Sequence, residues 1–463
     1  MRQTRNLAAR LVEGSGGDVS SLQPMNLVVA VAGGGSSAAS SIASTPGASS
    51  ILLESVVTYD RRSYAEFVSA NLEGKSNGSW LQKLDGSTCK DGDSSFSFCS
   101  SQSALLLSRS ALSRSLQLTS SFQSTANCIG VGCTSSLVGK VSVEGDDIGK
   151  RKGRKSRAYI AVSDVLHGTT VFDIELDGSN LIVDGEEVLG SRRDRVEEDA
   201  VVSNLVLLAL IRARENLRPS FKIMEEALGR KDDRIEVRTL DDFPQKTPAD
   251  GATEISGGNA DAVAILPTRG GMLSLFSDDN IRFPRDVIIV PGSFNPPHQG
   301  HVGLANAAVK AIKKRNRKRL SEFPDSFSST TIINSMWNKL STESGSVPSV
   351  FFEMSVTNAD KPPLDSAEVQ RRVDSFRNIS NANMPDDWAI LLTNAPLFSQ
   401  KTVILDNFIK SYGQSPTKMT FVLGADTMVR ILNPKYYGND RDNMIAELED
   451  MMQKGVHFVV GGR

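Results

Sequence analysis

His298 and His301 stand three residues apart around Gly300, in Ile288-Ile289-Val290-Pro291-Gly292-Ser293-Phe294-Asn295-Pro296-Pro297-His298-Gln299-Gly300-His301, and the chain has only 4 His in all. An apolar strand, a Gly/Pro loop and a helix beginning at the imidazoles would put both rings where backbone N–H groups are unpaired and the helix dipole favours an anion. Such an arrangement suits phosphate, with backbone approaching closely at Gly292 and Gly300. The alternative is a pair of rings that cap the helix without any ligand. A pair split by Gly after a Pro-braced loop weighs towards function.

Positioning these rings requires a strand over Asp286 to Val290 and a helix that buries Val302, Ala305, Val309 and Ile312 while turning Asn306, Lys310 and Lys313 outward. The whole chain has 463 residues, enough for two or three domains at roughly 100 to 200 residues each. Its 52 Lys and Arg balance 54 Asp and Glu, a net charge of −2. That disfavours a dedicated nucleic-acid or anionic-membrane binder, which needs excess cations to displace counterions. Cys89, Cys99, Cys128 and Cys133 form no C-x-x-C pair, so neither a zinc site nor a disulfide framework is expected, and no metal-ligating residue is assigned. A reducing compartment follows, the cytoplasm, with the nucleus or an organelle left open. The longest apolar runs, such as Leu205 to Ile211, are far short of the roughly 20 residues that span a bilayer. The opening MRQTRNLAARLVEG reads as a transit peptide or, preferably, as a domain's first helix.

Short apolar runs at Leu27 to Ala32, Tyr159 to Val162 and Val171 to Leu176 fit strands of a covered sheet. The Ser-rich stretch from about Ser76 to Ser136 reads as loop in part. From Val196 to Leu217, acids at the start, Arg near the end and apolar residues on most faces predict a helix packed on two sides. Polar, Pro- and Gly-containing sequence at 218–284 reads as a linker. The domains are therefore expected at 1–217 and 285–463. The basic stretches Lys150 to Arg157 and Lys313 to Arg319 read as an exposed loop and a solvated helix end.

GSFNPPHQGH resembles the signature of the HxGH nucleotidyltransferase superfamily, the cytidylyltransferase-like enzymes. FEMSVTNADKPPLDSAEVQRRV, LLTNAPLFSQK and FVLGADTM resemble the later segments of its nicotinamide mononucleotide adenylyltransferase branch, from about Asp286 onward. The resemblance implies a Rossmann-like domain with a parallel sheet that joins ATP to nicotinamide or nicotinate mononucleotide and releases pyrophosphate, in NAD biosynthesis. It implies His298, His301 and Lys361 as catalytic donors, and Gly292, Ser293, Phe294, Asn295, Gly300, Gly424 and Asp426 around the nucleotide. Mg2+ would arrive on the triphosphate. Phosphoryl chemistry of this kind consists mostly of neutralisation and alignment. Taken alone, Lys361 reads as a solvated loop cation and Asp426 as a helix cap. Asp365 and Glu368 read as a capping-box-like start to a scaffold helix burying Val369, Val373 and Phe376. A late Ser/Thr-x-x-Arg motif, normal in this superfamily, is expected after the stretch resembling Phe458 to Arg463, where this chain stops.

The first half, NLVVAVAGGGSSAASSIASTPGASSILLESVVTYDRRSY with Gly190-Ser191-Arg192-Arg193 further on, resembles the CinA C-terminal domain, the fold of nicotinamide mononucleotide deamidases. That implies an α/β sandwich. The family's Glu-Ser-Cys-Thr-Gly-Gly is replaced by Val31, Ala32, Gly33 and Gly34 at its first positions, and Tyr64 stands where a Lys is usual. Amide hydrolysis needs a nucleophile and a proton-handling group, so this half reads as a pseudoenzyme domain, with Gly33 to Gly35 still able to receive a phosphate. The expected whole is an α/β protein, a nucleotidyltransferase behind a silent domain. The alternatives are a non-catalytic nucleotide-binding regulator and a related cytidylyl- or adenylyltransferase with another acceptor. Oligomeric state stays open, a homo-oligomer included.

Overall fold

The structure is a computed structural model that describes residues 2–14, 24–72, 97–119, 123–139, 155–179, 181–183, 186–188, 192–214, 221–240, 247–268, 271–276, 286–320, 348–357, 362–379, 383–410 and 418–461. The chain divides into two compact units, Met1–Thr119 with Asn127–Pro244, and Gln245–Arg463 with Ser120–Ala126. Both are mixed α/β.

In the first unit the strands are β1 (Asn26–Ala32), β2 (Leu52–Val57), β3 (Cys128–Ser136), β4 (Ser156–Asp164), β5 (Gly168–Leu176), the separate ribbon β6–β7 (Leu181–Val183, Glu186–Val188) and β8 (Arg234–Leu240). The helices are α1 (Arg2–Glu13), α2 (Ser36–Ala43), α3 (Arg61–Leu72), α4 (Ser101–Leu118), α5 (Arg195–Arg214) and α6 (Phe221–Leu228). The sheet order is β2-β1-β3-β4-β5-β8, parallel around β1 and antiparallel beyond β3. Leu27, Val29 and Val31 face one core with α1, α2, α5 and α6, whereas Val28 and Ala30 face another with α3 and α4. Burial on both faces is why β1 is a continuous apolar run.

The Ser-rich stretch read as loop in part contains α4 and β3. Ser normally competes for local backbone and so favours turns. Here three of the hydroxyls are satisfied in place: Ser108 and Ser110 donate to the carbonyls of Leu105 and Leu106 at 3.0 and 2.8 Å, and Ser115 to Asn26 at 2.7 Å. Small residues also let α4 lie against β3. A Cβ on Gly130 would stand 2.0 Å from the Leu112 nitrogen.

The second unit contains α7 (Pro248–Ser256), β9 (Ala262–Thr268), β10 (Gly271–Phe276), β11 (Asp286–Pro291), α8 (Gln299–Leu320), β12 (Ser349–Ser355), α9 (Ser366–Ser375), β13 (Trp388–Thr393), α10 (Phe398–Lys410), β14 (Lys418–Gly424), α11 (Ala425–Ile431), α12 (Arg441–Gln453) and β15 (Val456–Gly461). The sheet order is β10-β9-β13-β12-β11-β14-β15. The five strands β13, β12, β11, β14 and β15 are parallel, β9 adds antiparallel to β13, and β10 adds antiparallel to β9. One face packs Ile288, Val290, Phe352 and Ile390 against Val302, Ala305, Val309 and Ile312 of α8 and Val369 and Val373 of α9.

The segment 218–284 is not a linker. It holds α6 and β8 of the first unit, and α7, β9 and β10 of the second, with the division between Pro244 and Gln245. Its polar sequence misled because β8 is an edge strand whose outer positions are exposed. An edge carries charge without cost and is protected by it.

Candidate nucleotide site at the strand crossover

From β11 the chain steps outward to β12 and β13, then returns to place β14 and β15 on the other side of β11. The crossover therefore lies between β11 and β14, which run parallel and end at the same sheet edge. Open α/β sheets bind ligands outside the carboxyl ends of strands at such a reversal. The loop 292–298 leaves β11 there, and Gly424 ends β14 there.

His298 is exposed and His301 half-buried, at the start of α8. Their rings lie 3.8 Å apart between centroids, tilted by 34°. The backbone N–H of His298 donates to Nδ1 of His301 at 3.2 Å, and that of Gly300 to Nδ1 of His298 at 3.1 Å. With Nδ1 accepting in both, each neutral ring carries its proton on Nε2. Burial, then the neighbouring His298, pushes the His301 pKa down to about 4. At neutral pH His301 is a neutral Nε2–H donor.

These contacts correct the sequence expectation at the glycines. The Gly300 and His298 N–H groups are used within the His pair, and Gly292 N–H donates to the Glu353 carbonyl at 3.0 Å. A Cβ on Gly300 would meet Cε1 of His298 at 2.9 Å, and one on Gly292 the Phe294 ring at 2.8 Å. Both glycines thus make room for rings. Phe294 is also corrected: it is fully buried, edge-on to His301, Phe352 and Phe376, with φ 44°. The left-handed backbone is held by that aromatic packing.

Ser293 and Asn295 are exposed, and α9 grips both. Arg372 Nη1 donates to the Ser293 carbonyl at 2.9 Å and Arg371 Nη2 to Asn295 Oδ1 at 2.6 Å. Glu368 accepts from both arginines. Asp365 caps the helix by accepting the Glu368 N–H at 2.7 Å, so the start of α9 was legible while its reach to the loop was not. Three- and four-residue spacing of Glu368 to the two arginines was the available signal.

Gly424, not Asp426, is the N-cap of α11; Asp426 is exposed in the first turn, where a carboxylate suits the dipole. Lys361 lies outside the described residues.

In the first unit the Gly turn is already filled. Asp199 of α5 accepts the Gly35 N–H at 2.7 Å and the Ser37 hydroxyl at 2.5 Å, and the Gly34 N–H donates to Ser135 Oγ. The expected phosphate position is taken by the protein's own carboxylate, 164 residues away in sequence. Tyr64 is a core residue: its hydroxyl donates to the Ser103 carbonyl at 2.9 Å, and burial pushes its pKa up to about 12. Arg193 is engaged by buried Asp233 at 2.7 Å.

No family model and no curated protein matches the chain. Among solved structures it is similar to the competence/damage inducible protein CihA from Agrobacterium tumefaciens, at 14 % identity and TM-score 0.25 over 49 % of this chain and 96 % of that one. It is also similar to a CinA superfamily protein from Klebsiella pneumoniae, at 14 % identity and TM-score 0.26 over 46 % and 98 % of the two chains. A CinA superfamily protein from Escherichia coli aligns at 15 % identity and TM-score 0.23 over 46 % and 88 %. No helix among the described residues is long and apolar enough to cross a membrane.

Proposed function

We propose that the second unit is a nucleotidyltransferase of the HxGH type, transferring an adenylyl group from ATP to nicotinamide or nicotinate mononucleotide. The carrying observation is a pair of imidazoles whose Nδ1 atoms each meet a backbone N–H, at the crossover edge of the parallel strands. In the reaction an oxygen of the acceptor's phosphate bonds to the α-phosphorus as the bridge to the β-phosphate breaks, and pyrophosphate leaves. Charge gathers on the bridging and non-bridging oxygens. Donors fixed in advance lower that barrier, and losing one costs about 100- to 1000-fold where it has been measured for oxyanion donors.

His298 and His301 fit this role because their Nδ1 atoms are tied to backbone, which fixes ring orientation before the nucleotide arrives. In this reading Asp426, in the first turn of α11 just beyond β14, accepts from a ribose hydroxyl, and Lys361 is the third cation. Among the described residues no three His, Cys, Asp or Glu form a metal cage. In this reading Mg2+ arrives with the nucleotide and is held by its phosphates.

The test is incubation of the purified chain with ATP, Mg2+ and each mononucleotide, following pyrophosphate and dinucleotide together. Equal release of both supports the reading. ATP binding with neither product leaves a nucleotide-binding protein, and product only with CTP or another acceptor moves the chain within the superfamily.

A further inference from the structure

One cation at the crossover edge is oriented yet incompletely bonded. Arg371 projects from α9 with 54 % of its side chain exposed. Its Nε and Nη2 are held by the two Glu368 oxygens, both at 2.7 Å, and Nη2 also reaches Asn295 Oδ1 at 2.6 Å. Nη1 makes no hydrogen bond within the described residues. Arg372 differs: it is only 12 % exposed and is committed to Glu368 and to the Ser293 carbonyl. One carboxylate thus serves two guanidiniums and leaves a net positive charge beside the loop that leads to His298. Hydrogen bonds from Arg371 and then Arg372 pull the Glu368 pKa down to about 2, so this carboxylate stays ionised and keeps its grip at neutral pH.

We propose that Arg371 is a guanidinium donor to the polyphosphate of the nucleotide bound at the loop 292–298, acting beside the imidazoles of His298 and His301. The inference rests on the reading of this edge as a nucleotide site. A merely structural tie is already supplied by the more buried Arg372, and an arginine serving only as a tie has no need of an open Nη1. With the Nε/Nη2 fork engaged by Glu368, the open Nη1 is left to offer a phosphate oxygen charge-assisted N–H bonds. Glu368 holds the side chain extended over Asn295, which reduces the rotamer freedom lost on binding.

The experiment is calorimetric titration of the full chain with Mg-ATP and with inorganic tripolyphosphate, over a series of salt concentrations, for wild type, Arg371→Ala, Arg371→Lys and His298→Ala. Unchanged far-UV circular dichroism and melting serve as the control for folding. Expected is a loss of about tenfold or more in affinity for both ligands in Arg371→Ala, with a shallower salt dependence, and a smaller loss in Arg371→Lys, which keeps the charge without the fork. A structural tie would not change the salt slope. If Arg371→Ala binds both ligands within twofold of wild type while His298→Ala loses them, Arg371 is a tie and the nucleotide site stands. If the wild type itself binds neither, both readings fall.

Discussion

Lys401 Nζ stands 2.6 Å from Glu353 Oε2, with the lysine side chain 7 % exposed and the glutamate wholly buried. Thr393 donates its hydroxyl to the other carboxylate oxygen at 2.6 Å. The pair joins α10 to β12, and the carbonyl of the same Glu353 receives the Gly292 N–H at the start of the His loop. Removing one partner of a buried pair leaves an uncompensated charge, at about 3–5 kcal/mol. Lys401→Met should therefore destabilise the second unit by about that much in urea titration. The double variant Glu353→Gln/Lys401→Met should recover at least half of it, and equal loss in single and double variants would show that packing, not charge, is at stake.

Gly300→Ala tests the packing of the His pair. The new methyl would stand 2.9 Å from His298 Cε1, closer than real contacts allow, and the exposed ring is free to swing away. Nucleotide affinity should fall about tenfold or more while melting changes little, since one misplaced donor is lost and no core is disturbed. Measuring both on one preparation checks the prediction, and undiminished affinity would mean that the ring position is unimportant.

The acid behaviour of His301 has a definite sign. Its folded pKa is about 4 against an ordinary 6.5, so between those values the unfolded chain binds a proton that the folded chain refuses. This group's stabilising contribution is complete above about 6.5 and is lost as pH falls towards 4. His301→Gln should flatten that part of the stability profile. Bound polyphosphate favours the imidazolium, so its addition should raise the ring's titration midpoint in the NMR signal of Cε1–H. A free-protein midpoint near 6.5 would contradict the burial argument.

Asp199→Ala removes the acceptor for Gly35 N–H and Ser37 Oγ. Leaving such donors without a partner costs about 1–3 kcal/mol, so the first unit should melt earlier. Neither this variant nor wild type should release ammonia from nicotinamide mononucleotide; ammonia from the wild type would overturn the silent-domain reading.

Truncation locates the boundary. A chain beginning at Gln245 keeps α7, β9 and β10 with the second sheet, whereas one beginning at Asp286 strips them and opens the edge of β13. An unpaired apolar edge promotes aggregation. The longer piece should be monodisperse by gel filtration and the shorter one should aggregate.

Local spacing alone determined the strand, loop and helix from Asp286 to Ile312, the helix read over Val196 to Leu217 and found at Arg195–Arg214, and the buried face of α9, because periodicity and capping act between near neighbours along the chain. It also marked His298 and His301 as adjacent. Tertiary structure alone decided what surrounds them. Arg371 and Arg372 reach back 76 and 79 residues to Asn295 and Ser293, and Asp199 reaches 164 residues to Gly35. Whether a glycine's empty side faces a phosphate, an imidazole or a phenyl ring depends on which elements the sheet brings together. That choice is set by chain crossings, which leave no periodic trace in the sequence.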